Sequence, residues 1–328
     1  MTRRAWLAFA AISLIWGIPY LFIRIAVRGG VTPFVLAWGR VALAAAVLLA
    51  LAWRAGTLPA LRGHLRWLVL YAVAEVTFPF PLIAYGEQRV SSSLAAIVIA
   101  SVPLIGALLA LRYDRSERPT SLRAFGLLIG FGGVVALVGI DVAGSGSELL
   151  GTAAILLAAA GYAVGPMVIK LRLPGLDPRA AIGASLAVAS VLLAPGAALD
   201  LPARVPSAGA IACVIVLGLL CTALAFVIFT VLIREAGTSR ATVITYVNPV
   251  VAVALGVALL GERPGAGAVA GLLLILAGSW LSTGGRLPPR LAAWRPRGPE
   301  RAAGAGKRPV RDPARGCDGS AAGAACAG

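Results

Sequence analysis

Apolar residues run along this chain in blocks of about twenty, the length a helix needs to cross a bilayer, and short arginine-bearing segments separate them. Ten blocks qualify: 5–27, 33–53, 65–86, 91–111, 121–140, 149–170, 179–199, 207–233, 240–260 and 266–284. They are too long and too rich in Gly and Ala for barrel strands. In lipid each segment must satisfy its own backbone hydrogen bonds, so the blocks are expected to be helices. The first block follows Arg3 and Arg4, as a cleaved leader would. Its apolar length exceeds the usual leader core of about 7–15 residues and it carries Arg24, so it reads as a retained first helix.

The charges between the blocks alternate in density. With the N-terminus in the cytoplasm, cytoplasmic segments outside the C-terminal tail hold fourteen Lys and Arg residues, and the opposite segments hold only Arg28, Arg89, Arg204 and Arg263. Positive charge stays on the cytoplasmic side of bacterial-type membrane proteins. Both termini are therefore expected in the cytoplasm, which requires an even number of crossings.

Composition agrees. The chain is 59% hydrophobic and 13% charged, where soluble domains carry about 25% charged residues. A net charge of +16 would suggest nucleic acid in a soluble protein. Here the charges lie at the ends of apolar runs and in one tail, so no nucleic-acid partner is expected and membrane lipid is. Lys170 and Lys307 are the only lysines, and the Arg/Ala/Gly-rich composition points to a bacterial inner membrane. Residues 286–328 are rich in Arg, Pro, Gly and Ala without apolar periodicity, and are expected to form a disordered basic cytoplasmic tail. Such a tail could rest on anionic headgroups or simply be solvated. Cys213 and Cys221 share an apolar run and Cys317 and Cys326 lie in the tail, without zinc or disulfide spacing. No metal or cofactor is expected.

The chain repeats itself. An offset of 146 residues brings Trp16-Gly17 onto Tyr162-Ala163, Arg24 onto Lys170, Ala95 onto Ala241 and Pro103 onto Pro249. An offset of 145 then pairs Glu117-Arg118-Pro119 with Glu262-Arg263-Pro264, and Gly126-Leu127-Leu128 with Gly271-Leu272-Leu273. Each half holds five blocks, an odd number, so the second half enters the membrane from the opposite side. The expected fold is an all-α membrane protein of ten transmembrane helices, arranged as two inverted five-helix repeats, 1–142 and 143–285. Inverted repeats are a signature of secondary transporters.

These features resemble the drug/metabolite transporter superfamily, with two EamA-type domains over roughly residues 5–285. The resemblance is carried by Leu14-Ile15-Trp16-Gly17, by Arg40, by Ser91-Ser92-Ser93-Leu94-Ala95-Ala96 opening the fourth helix with Pro103 ten residues beyond Ser93, and by Gly261-Glu262-Arg263-Pro264 before a Gly-rich last helix. It implies ten helices around a central cavity, and export of amino acids, metabolites or drugs.

Charges inside a bilayer cost about 2.5–3.5 kcal/mol on insertion scales and mark function by default. Arg24, Arg40 and Glu75 are such residues. Tyr71, Glu75, Phe78, Leu82 and Tyr85 fall on one helical face, with Pro79 and Pro81 just beyond Glu75. Glu75 reads either as a cavity carboxylate that binds a proton or a cationic solute, or as an ion-pair partner of Arg40 that pins two helices. Arg24 and Lys170 occupy equivalent positions and read as gate charges or as snorkelling helix-end cations. Prolines at matched places in the halves point to the site: Pro19 answers Pro166, and Pro103 answers Pro249. Near them Trp16, Tyr20, Ser101, Tyr162, Thr245, Tyr246 and Asn248 offer aromatic walls and a few polar groups for a small-molecule substrate. Gly126, Gly130 and Gly133, with Gly267, Gly271 and Gly278, allow close helix packing within the chain or in a homodimer.

Other classes fare worse. No phosphate-binding Walker sequence is present, and no His-Glu-x-x-His, Gly-x-Ser-x-Gly or intramembrane Asp pair supports an enzyme. A non-transporting scaffold or receptor would leave the repeat and the buried charges unexplained.

Overall fold

The computed structural model describes residues 2–113, 120–142, 144–236 and 244–282. The Glu117-Arg118-Pro119 run, Arg115, Arg240 and the basic tail lie outside them. Among the described residues there are helices and no strands. Eight are long and apolar enough to cross a bilayer: α1 (Arg3–Arg28), α2 (Pro33–Arg54), α3 (Leu65–Glu87), α4 (Ser92–Leu109), α5 (Ser121–Val142), α6 (Gly146–Arg172), α7 (Pro178–Leu199) and α8 (Ala208–Glu235). Two shorter apolar helices follow, α9 (Ile244–Leu260) and α10 (Ala266–Ser282). Each of the ten falls on one of the blocks read from sequence.

Local chemistry explains where the helices begin. Thr2, Ser91, Thr120, Ser145, Asp177 and Ser207 each accept a hydrogen bond from a first-turn backbone N–H. These caps satisfy donors that have no intrahelical partner. Pro33 and Pro178 occupy first-turn positions, where the missing N–H costs nothing.

Three helices widen into a π turn: α3 at Val73–Thr77, α5 at Val138–Val142 and α8 at Leu219–Leu224. The segments in α3 and α8 stand 146 residues apart, the offset of the sequence repeat. The matched prolines act unequally. α1 breaks at Ile18 before Pro19, and α4 breaks between Ile99 and Val102 before Pro103, whereas α6 and α9 run unbroken through Pro166 and Pro249.

α2 packs along α7, α5 along α10 and α4 along α9, while α3 packs on α6 and α8 on α1. The glycine stripes of α5 and α10 meet each other. A Cβ on Gly133 would lie 2.9 Å from the Gly271 carbonyl oxygen, and one on Gly126 would lie 2.6 Å from the Ser282 nitrogen. The close approach these glycines allow is therefore used inside the chain. Outward faces are apolar: Leu128, Val135, Val191 and Leu273 are all more than three-fifths exposed. Lipid, not water, suits such a surface.

Candidate functional site

Arg40 lies in the interior, only 8% exposed. Its Nε donates to Thr222 Oγ1 in the π turn of α8 (2.8 Å), and its guanidinium stacks 4.2 Å from the centre of the Phe80 ring on α3. Thr222 in turn donates to the Leu217 carbonyl (2.8 Å), a bond that the widened turn provides. Tyr162 of α6 meets Phe80 edge-on, with centroids 6.4 Å apart. Trp16 of α1 meets Phe226 and Phe229 of α8 at 5.7 and 4.9 Å. Tyr20 and Tyr162 both lie within electrostatic reach of Arg40. Tyr20 of α1, Phe80 of α3, Tyr162 of α6 and Thr222 of α8 thus bring four helices to the one guanidinium on α2. Among the described residues no carboxylate lies within ion-pair distance of Arg40, although Glu87 stands within electrostatic reach, so Nη1 and Nη2 remain available for an anionic group.

Glu75 does not pair with Arg40. It sits in the π turn of α3 and faces α6, where a Cβ on Gly165 would overlap its carboxylate. Its Oε2 is buried without a hydrogen-bond partner. Arg40 is held instead by Thr222 and Phe80. Tyr162 stands within electrostatic reach of both Arg40 and Glu75.

The face drawn from Tyr71 to Tyr85 is broken. Phe78 is 45% exposed and Tyr85 36% exposed, and Tyr85 carries Arg89 over its ring at 3.6 Å. The π turn inserts an extra residue and rotates everything beyond it relative to α-helical spacing. Tyr85 therefore stands apart from the Arg40 cluster.

The other sequence candidates divide. Ser101 is buried at the break in α4 and donates to Val98 O of its own helix (2.7 Å). Asn248, oriented by its surroundings, turns its amide nitrogen to Ile244 O (3.0 Å) and Ser13 O (3.1 Å), tying α9 to α1. Tyr246 donates to Ser279 O on α10 (3.3 Å), and Thr245 is half-buried one residue before it. Arg24 donates to the main-chain oxygen of Glu87 at the end of α3. Lys170 is exposed at the opposite end, two residues before Arg172, which packs 4.6 Å over Trp67 near the start of α3.

Sequence reasoning passed over Phe80, Thr222, Phe226 and Glu87. The 146-residue offset that equates Trp16 with Tyr162 also equates Phe80 with Phe226, so the repeat held a signal for both rings. Glu262 matters through a different contact. Its carboxylate accepts from N and Oγ of Ser92 (2.8 and 2.9 Å) and from N and Oγ of Ser93 (2.9 and 2.6 Å), at the N-terminus of α4. Burial alone would push this carboxyl up, but the four hydrogen bonds from Ser93 and Ser92 outweigh it and hold it below its ordinary value. Gly261, at φ 66°, makes the left-handed turn that ends α9 and delivers Glu262.

A bundle of apolar helices with a buried arginine stacked on an aromatic ring defines a multi-pass membrane protein with an interior polar cluster. Two stretches, residues 3–139 and 149–284, match the EamA-like transporter family, and the chain belongs to that family. It is 32% identical over 271 residues to YedA of Escherichia coli K12, an uncharacterized inner membrane transporter, covering 78% of this chain and 82% of that protein. It is 22% identical over 283 residues to the uncharacterized transporter YoaV of Bacillus subtilis, covering 84% and 96%. A solved crystal structure shares the fold, with a TM-score of 0.61, 22% identity, and coverage of 85% of this chain and 97% of that one.

Proposed function

We propose that this chain is a secondary transporter that moves a small organic solute across the bacterial inner membrane, in the outward direction, through the site around Arg40. The observation that carries the reading is the buried Arg40 guanidinium, bonded through Nε alone, stacked on Phe80 and within electrostatic reach of Tyr20 and Tyr162. A carboxylate or similar anionic group of the solute would take Nη1 and Nη2, and Trp16, Tyr20, Phe80 and Tyr162 would receive its apolar body. Glu75, with one carboxyl oxygen unpartnered, would take up a proton and couple transport to the proton gradient, or receive a cationic group of the solute.

The reading includes two inverted repeats forming ten crossings. It is supported by the way packing partners exchange at an offset of five helices. α3 on α6 answers α8 on α1, and α2–α7, α4–α9 and α5–α10 map onto themselves. The Tyr162–Phe80 and Trp16–Phe226 pairs exchange in the same way. Relatives named as inner membrane transporters support the compartment. A reporter fused after Gly285 should be active only in the cytoplasm; activity outside would refute the orientation.

The test is a solute-tolerance screen in cells producing the wild type or Glu75→Gln at matched membrane levels. Tolerance to one solute class with the wild type alone supports export and names the class. If no solute separates them, labelled uptake into inverted and right-side-out vesicles decides direction, and absence of uptake in both refutes transport.

A further inference from the structure

A second buried polar cluster lies where α3 ends against α1, α4 and α6, within electrostatic reach of Arg40 and Tyr20. Glu87, the last residue of α3, is 0% exposed, and neither of its carboxyl oxygens has a hydrogen-bond partner. Arg24 of α1 reaches this residue but commits Nη1 to its main-chain oxygen, and Arg24 Nε is buried without a partner. On α6, Gly151 and Ile155 pack directly against Gly86. Thr152, between them in sequence, is 1% exposed with an unpartnered hydroxyl.

The charged and titratable groups around Glu87 are few. α1 contributes Arg24 and Tyr20, α2 contributes Arg40, and the turn after α9 contributes Glu262. α6 carries Glu148 one turn before Thr152, half-buried near the helix start. α4 offers only Ser92 and Ser93, whose donors are already given to Glu262. Arg89, two residues beyond Glu87, turns away over Tyr85. Arg24 therefore faces two carboxyl groups, Glu87 and Glu262. Glu262 has four donors and is suited to keep its charge. An ionised Glu87 would lack both water and donors, an arrangement that costs far more than a neutral acid in the same place.

We propose that Glu87 is a proton-binding site separate from Glu75, occupied while α1, α4 and the α9–α10 turn close over the end of α3. Release is a simple proton transfer. Water enters when this end opens, the O–H bond of the Glu87 carboxyl breaks, and the proton passes to that water. The carboxylate left behind gains Arg24 as counter-ion once Arg24 leaves the main-chain oxygen. Proton occupancy is thereby tied to the closed state of this end. Only its use in coupling rests on the transport reading.

Infrared difference spectroscopy on the purified full chain in nanodiscs tests this, with pH steps from neutral to alkaline. The wild type should show a protonated-carboxyl C=O band at neutral pH that Glu87→Gln lacks, Glu87→Asp shifts and Glu75→Gln retains. In the same pH steps, read with an indicator dye, Glu87→Gln should release one proton fewer per chain. A band unchanged in both Glu87 variants, or unchanged proton release, overturns the proposal. Where Glu87→Gln fails to fold, an unshifted band in Glu87→Asp overturns it. A wild-type band that vanishes on adding Na⁺ at constant pH overturns it too, since the site would then hold a metal cation. None of these readouts involves a solute, so failure of the transport reading leaves them unaffected.

Discussion

Tyr162 meets the Phe80 ring edge-on, with planes at 82° and centroids 6.4 Å apart, and Phe80 carries the Arg40 guanidinium on its face. The equivalents of these two rings in the other half, Trp16 and Phe226, meet at 78° and 5.7 Å. Both halves thus supply a mixed aromatic pair built from one ring of each repeat, but only the first half supplies the arginine. The two-fold pattern accounts for the paired rings, and Arg40 is a departure from it.

Arg40→Gln is expected to insert normally and to lose roughly 2 kcal/mol of affinity for an anionic solute, about thirty-fold. Arg40→Lys keeps the charge but loses the Nε bond to Thr222 and the planar stack on Phe80, so it should fall between. Binding of the solute from the tolerance screen, measured calorimetrically, checks both. Equal affinity in all three proteins would count against the site.

Glu75→Gln is expected to abolish the dependence of flux on a pH gradient in proteoliposomes while leaving protein levels unchanged. Gly165→Ala should weaken the same dependence, because its methyl group would displace the Glu75 carboxylate. Wild-type flux and pH dependence in both variants would assign Glu75 to packing alone.

Gly278→Leu is expected to destabilise the bundle by about 1–3 kcal/mol or more, since its side chain would meet the backbone of Gly126 and Gly130 on α5. Thermal unfolding in detergent reads this directly. Gly132→Leu, where a Cβ meets nothing within 4 Å, serves as the control and should leave the melting temperature near that of the wild type.

Glu262 gives a pH dependence of definite sign. Its folded pKa lies below the unfolded value, which is about 4.3. Its contribution is therefore fully present above that value and is lost as pH falls through the folded pKa. Glu262→Ala should lower stability by roughly 1–3 kcal/mol at neutral pH, and the gap to the wild type should close in acid. Melting temperatures of both proteins between neutral pH and about pH 3 check this; a constant gap would contradict it.

The chain's crossings were legible because bilayer thickness, apolar run length and the placement of arginines are properties of a single line of residues. Repetition was legible too, since Trp16-Gly17 and Tyr162-Ala163, or Pro103 and Pro249, align without any knowledge of packing. Of the aromatic candidates, Tyr20 and Tyr162 stand within electrostatic reach of Arg40, and Trp16 packs on Phe226 and Phe229. Tyr85 and Phe78 stand apart, because a π turn in α3 resets the helical phase that placed them beside Glu75. Thr222 and Phe80 became visible as partners of Arg40 only once α2, α3 and α8 were packed together. Glu87 sits at the end of an apolar block, where a glutamate would ordinarily reach water; folding α1, α4 and α6 around it removes that water. Sequence alone thus determined which segments enter the membrane, through local apolarity and length. Tertiary structure decided which polar groups pair and which remain unpaired, because hydrogen bonds and burial depend on neighbours far away along the chain.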